Sequence, residues 1–282
     1  SIVSFLPQGS LAVLKYAQRI FSKMSLLTTG SIVTVSFVEF AENLKESVIK
    51  FVNSYKKTFF STLAICIFLG ALLILAGKDL ISVLFVRGEF TEADANLIYY
   101  GLIVQAIGWP FISYWVMAKK SLLAIHKTPL VNGILIAYQI IFIIFVYLLS
   151  KILGVMGVLL ATSVTSFIFI FVYYFFQRKY FSFRFNKLDY QKMLLIVMVL
   201  SAGLIPVFSI EHLINYSDHL IINNFYLLKL TNIAIALSIY FIFTYVLYKI
   251  FYIKELHSLL NILKNIYKKI TFRLFSSAKA NF

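Results

Sequence analysis

The 282-residue chain is poor in charge, with only 13% Asp, Glu, Lys and Arg, and poor in glycine (11), proline (4) and cysteine (1). A soluble domain carries about 25% charged residues, and here 61% of residues are hydrophobic with a mean hydropathy of +0.90. That surplus cannot be hidden inside one soluble core, so a soluble enzyme is excluded. Scarce Gly and Pro exclude a low-complexity disordered chain, and the single Cys66 excludes a disulfide scaffold. Carboxylates are missing altogether between Asp94 and Asp189. A sodium site there would have to rely on Asn132, Gln139, Thr162, Thr165 and carbonyls, a poor set for a hard cation. His126, His212, His219 and His257 are far apart in sequence and fall in loops or tails, so no metal site and no cofactor is expected. No nucleophile-base-acid set, phosphate-cradling glycine loop or paired carboxylate appears either, which argues against an enzyme.

What is present is a series of long apolar runs. A bilayer core of about 30 Å needs about 20 apolar residues per helix. Runs at Phe59–Ala76, Leu97–Ala118, Leu130–Leu149, Gly154–Phe176, Met193–Phe208 and Leu230–Tyr252 meet that need, and Ser10–Phe40 is a seventh span that carries Lys15, Arg19, Lys23 and Glu39. The expected fold is therefore an all-α polytopic membrane protein with seven transmembrane helices.

The net charge of +15 then reports orientation rather than nucleic acid. Seven spans make the connecting segments alternate between two sides. One side takes 19 of the 26 Lys and Arg, in the segments around Lys45–Lys57, Lys119–Lys127 and Arg178–Lys192 and from Lys249 onward. The other side takes Lys15, Arg19, Lys23, Lys78, Arg87, Lys151 and Lys229. By the positive-inside rule the C-terminus is cytoplasmic and residue 1 lies outside. Beyond Tyr252, Leu256, Leu259, Leu260, Leu263, Ile266 and Ile270 alternate with lysines at helical spacing, as expected of an amphipathic tail on anionic headgroups. The chain opens on Ser1-Ile2-Val3 without Met or a signal pattern, and is read as lacking an N-terminal portion.

Lys15, Arg19 and Lys23 recur every fourth residue, which puts them on one helix face within about 12 Å of rise. Charges at membrane depth cost about 2.5–3.5 kcal/mol each. The two lysines can snorkel to an interface. Arg19 can also capture phosphate oxygens in a bidentate way if it faces a wet cavity. Glu39 is the sole acid inside a predicted span: it can be solvated at the helix end, pair with Lys45 or a neighbouring helix, or couple transport to protons. Thr91 with Asp94 three residues on forms a capping box at a helix start. Pro110 and Pro206 lie inside spans, where proline invites a kink.

Four motifs carry a family resemblance. Leu84-Phe-Val-Arg-Gly-Glu-Phe-Thr91 with Asp94 resembles the Leu-Phe-x-x-Gly-x-Phe-Thr-x-x-Asp loop of the MurJ/MviN lipid II flippases, within which Arg87, Gly88, Phe90 and Thr91 are signature positions. Leu14-Lys-Tyr-Ala-Gln-Arg19 is similar to that family's Leu-x-Tyr-Ala-x-Arg, and Lys127-Thr-Pro129 to the element opening a later helix. Leu153-Gly-Val-Met-Gly-Val-Leu-Leu-Ala-Thr162 is similar to the helix after it. The resemblance implies helices eight to fourteen of a fourteen-helix transporter. Residues 1–180 would be the second lobe without its first helix, 181–252 the final helix pair and 253–282 the cytoplasmic tail, with the N-terminal lobe missing.

It further implies a multi-pass protein of the bacterial cytoplasmic membrane that flips undecaprenyl-diphosphate-linked peptidoglycan precursor. Arg19 would be the matching cavity cation, flanked by Lys15 and Lys23, with lipid II and membrane lipids as partners. The chain departs from the pattern at Met24 and Val38, where the family has proline. That leaves the bend of the first helix, and with it the depth of Arg19, open. A flippase of another polyprenyl-linked glycan is the alternative. An antiporter of the same superfamily is disfavoured by the missing carboxylates, and a membrane glycosyltransferase by an external loop holding only Glu211 and Asp218. A non-transporting scaffold is a last alternative.

Overall fold

The structure is a computed structural model that describes residues 10–86, 90–208 and 225–251. Arg87 and Gly88 of the signature loop, three of the four histidines and the tail after 251 lie outside the described residues.

Helices account for nearly every described residue. Helix α1 (Ser10–Ser25) passes through one wide π-helical turn, Leu26–Gly30, into α2 (Ser31–Glu46). There follow α3 (Val48–Phe85), α4 (Glu92–Ala124), α5 (Thr128–Phe181), α6 (Lys187–Ala202) and α7 (Phe225–Phe251). Among the described residues six helical segments are long and apolar enough to cross a membrane, not the seven expected. The difference is α5, whose 54 residues would reach about 80 Å if straight.

That helix is not straight. Gly154 has φ 58° and ψ −132°, a conformation open to glycine alone, and the chain turns back there. A methyl group on Gly157 would fall 2.0 Å from the Leu149 carbonyl oxygen, and the Tyr138 hydroxyl lies 3.3 Å from that of Ser166. The two limbs, 128–153 and 155–181, are therefore an antiparallel pair, which restores the two spans read from hydropathy.

Local chemistry fixes the other helix ends. Thr91 accepts from the Asp94 amide while Asp94 accepts from that of Thr91, the expected capping box, and Asn186 and Asp189 repeat it at the start of α6. Pro110 sits inside an unbroken α4, whereas α6 is interrupted at Gly203 and the chain is helical again over 204–208, where Pro206 lies.

In a bilayer, apolar side chains gain nothing by leaving lipid for protein, so the helices associate through close packing and hydrogen bonds. Ile136, Ile140, Ile143, Phe171 and Phe175 stay on the outside, as lipid-facing side chains can. Inside are two apolar clusters. One gathers Leu14, Ala17, Phe21, Trp109 and Leu159 from α1, α4 and α5. The other gathers Phe40, Phe51, Tyr55, Phe181 and Phe183, and reaches Tyr240 of α7.

Polar contacts draw the basic connections to one end of the bundle. Lys56 pairs with Asp189 at 2.5 Å and lies 5.8 Å from the Phe183 ring centre, while Lys127 caps the Tyr180 ring at 5.2 Å. Towards the other end, Lys229 of α7 pairs with Asp79 of α3 at 2.8 Å. Helices α6 and α7 are thus each tied to α3 by an ion pair.

Candidate functional site: a cationic cavity on the first helix

The amphipathic pattern of α1 decides which way its cations face. Leu14, Ala17 and Phe21 are buried against α4 and α5, with the Phe21 ring meeting the edge of Trp109 at 5.1 Å between centres. Ala17 packs so closely on α4 that a methyl group on Gly101 would lie 3.2 Å from its Cβ. The opposite face, Lys15, Arg19 and Lys23, is exposed and lines a cavity of about 790 Å³ with Tyr16 and Ser22. Gln18 beside them, Gln105 of α4 and Thr162 of α5 complete its polar wall.

None of the three cations has a carboxylate partner among the described residues. Three like charges on one face with no compensating carboxylate repel one another and raise the local affinity for an anion. A guanidinium at the centre adds a planar fork suited to phosphate or carboxylate oxygens.

The remaining expected site residues lie apart. Glu39 is 20 residues beyond Arg19, about 30 Å along the helix, and its carboxylate accepts from Ser54 of α3 at 2.6 Å. Glu39 is exposed near the helix end, as the solvated reading has it, and also pairs with a neighbouring helix, the partner being a hydroxyl rather than Lys45. In the signature loop, Thr91 caps α4, while the Phe90 ring packs on Tyr16 and Phe85, 6.5 and 6.1 Å between centres. Phe90 therefore braces the cavity rim at Tyr16. The sodium candidates do not converge: Asn132 and Gln139 are exposed, and Thr165 bonds its own helix carbonyl at Ala161. No group of three or more metal-ligating side chains occurs among the described residues.

Between Met24 and Val38, the positions where the family has proline, the helix instead widens into the π turn. Thr29, in that turn, is buried and accepts from the Trp109 indole N–H at 3.0 Å; its hydroxyl also lies 3.2 Å from that of Ser113. Cys66 Sγ is 3.0 Å from the Ser113 oxygen, which itself donates to the Trp109 carbonyl at 2.9 Å. Three helices are thus joined by one closed polar knot just beyond the cavity. Such knots are favoured in hydrocarbon because no water competes for the groups.

A second concavity is apolar. Two adjoining pockets of about 350 and 370 Å³ share Leu63, Pro110 and Phe111 and run along α6 past Met193 and on to Leu204 just beyond that helix. Neither this groove nor Gln105 stands out in the sequence. A lone amide in the apolar run of α4, one turn after Gly101, was the available signal for the latter.

A family model described as lipid II flippase MurJ matches residues 1–227. A curated relative named probable lipid II flippase MurJ, from Thermotoga maritima, is 31% identical over 180 residues, covering 58% of this chain and 34% of the relative. A solved structure titled lipid II flippase MurJ, inward closed conformation, superposes with a TM-score of 0.66 at 24% identity, over 88% of this chain and 49% of that one. The chain thus spans about a third of the curated relative and half of the solved structure. With the family match extending over most of its length, this multi-pass membrane chain belongs to the MurJ lipid II flippase family, transporters rather than enzymes.

Proposed function

We propose that the chain forms one half of an alternating-access flippase that moves an undecaprenyl-diphosphate-linked peptidoglycan precursor across the bacterial inner membrane. The observation that carries this reading is the row Lys15, Arg19, Lys23, without a carboxylate partner among the described residues and facing one cavity of about 790 Å³. In that cavity Arg19 binds the diphosphate in bidentate fashion, and the two lysines hold its remaining charge as point charges. Phe90 and the capped start of α4 hold the rim in place. The apolar groove along α6 takes the polyprenyl chain, leaving the anionic headgroup alone to need a polar path.

The helices correspond in this reading to the eighth to fourteenth of the full transporter, with the C-terminus cytoplasmic and α6 and α7 as the final pair. An N-terminal lobe supplies the opposite cavity wall, and rocking of the two lobes exposes the headgroup first inside and then outside. Complementation of a strain lacking lipid II flipping tests the assignment. The full-length protein with Arg19→Ala fails to complement, while Lys151→Ala, a cation engaged with the Tyr147 hydroxyl away from the cavity, complements normally. Equal complementation by both removes Arg19 from the role.

A further inference from the structure

The cavity has a neutral polar feature that its cations do not explain. Gln105 lies four residues after Gly101 and three before Gly108, on the face of α4 that meets α1 and α5. A methyl group on Gly101 would fall 2.6 Å from Leu159 Cδ1, and one on Gly108 would fall 2.0 Å from Ser163 Oγ. The helices are pinched together above and below Gln105, and its amide occupies the gap between the pinches, in the cavity wall beside Thr162. The residue is only 4% exposed, and its Oε1 is buried with no hydrogen-bond partner among the described residues.

The second buried glutamine shows what a satisfied amide looks like in this fold. Gln177 accepts from the Tyr114 hydroxyl at 2.8 Å and donates to Ser121 Oγ at 3.2 Å. An unused acceptor at membrane depth is unfavourable, and a leucine or methionine of similar volume would remove the penalty. The amide oxygen repels an anion, so that half of the side chain does not serve the phosphate; only the Nε2 half can donate to one. The oxygen accepts from an O–H or an N–H. The cavity wall therefore suits a ligand that presents an anion to Arg19 and, within the same cavity, a neutral hydrogen-bond donor to Gln105.

We propose that Gln105 is a specificity residue that reads the sugar attached to the diphosphate, rotating its amide oxygen to accept from a hydroxyl or acetamido N–H, with the Thr162 hydroxyl beside it. This rests on the reading of the cavity as a diphosphate site and assigns the neighbouring position to the glycan. An acceptor left unpaired by a ligand lacking the donor is what makes such a site selective.

The test is equilibrium binding to the full-length protein of two probes, undecaprenyl diphosphate and undecaprenyl diphosphate bearing one N-acetylated sugar, with lipid-free thermal midpoints measured alongside. Gln105→Leu is expected to weaken binding of the glycosylated probe about tenfold, leave the bare diphosphate unchanged, and leave the lipid-free midpoint equal or higher. Arg19→Ala weakens both probes. Equal loss of both probes in Gln105→Leu, or loss of neither, overturns the proposal while an Arg19-sensitive affinity leaves the diphosphate reading intact. Wild type binding neither probe, or Arg19→Ala binding both as wild type does, overturns that reading and this proposal with it. Should Gln105→Leu not fold, Gln105→Met carries the same comparison. Failure of both to fold shows the amide to be structural and also overturns the proposal.

Discussion

Replacing Thr29 by valine removes one hydroxyl from the centre of the polar knot while keeping the β-branched shape. Trp109, fully buried, then loses the acceptor of its indole N–H, and Ser113 loses one neighbour. An unsatisfied buried donor costs about 1–3 kcal/mol, whereas interhelical hydrogen bonds in membrane proteins average about 0.6 kcal/mol. One orphaned donor plus one lost partner therefore places the loss at about 2 kcal/mol. Cys66 belongs to the same knot and is buried, so its thiol is a local reporter. Thermal unmasking of Cys66 to a thiol-reactive fluorophore, with cysteines outside this chain replaced, should begin several degrees lower in Thr29→Val. Trp109→Phe removes the donor instead, and the double variant should lose about 1 kcal/mol less than the two single losses added, because nothing is then left unpaired. Strict additivity, or a Thr29→Val midpoint equal to wild type, would refute the view that the knot holds the π turn to α3 and α4.

Asp189→Asn strips a mostly buried lysine of its partner, so unfolding should become easier by about 1–2 kcal/mol, with Lys56→Met in the same protein recovering part of it. Gly154→Ala should destabilise by about 1–3 kcal/mol because an L-residue is strained at φ 58°. Gly133→Ala, whose added methyl meets nothing within 4 Å, should be neutral or stabilising in the same melt. Gly108→Val drives two methyl groups into Ser163 and should prevent normal assembly of α4 on α5, read as loss of monodisperse protein on size exclusion.

Hydropathy and charge made the spans legible, and the face shared by Lys15, Arg19 and Lys23 followed from helical spacing alone. The turn at Gly154 was also legible, as the gap between two apolar runs of spanning length. The π turn was not. It inserts one extra residue per turn over only five residues, Leu26–Gly30, too short a departure for periodicity to distinguish from noise. Nor was the role of Glu39 decidable, because its partner Ser54 lies on another helix. Gln105 was hidden for a related reason: what marks it is the absence of a partner in three dimensions, and the one-letter string shows only a polar residue in an apolar helix.

The central claim is that the cation face of α1 holds the anionic headgroup during transport. Translocation of lipid II by the full-length protein in proteoliposomes, comparing wild type with Arg19→Ala and Arg19→Lys, tests it most directly. A charge-assisted bidentate contact is worth about 1.5–3 kcal/mol, so Arg19→Ala should slow translocation at least about tenfold, with Arg19→Lys between the two. A translocation rate for Arg19→Ala equal to that of wild type would contradict the account.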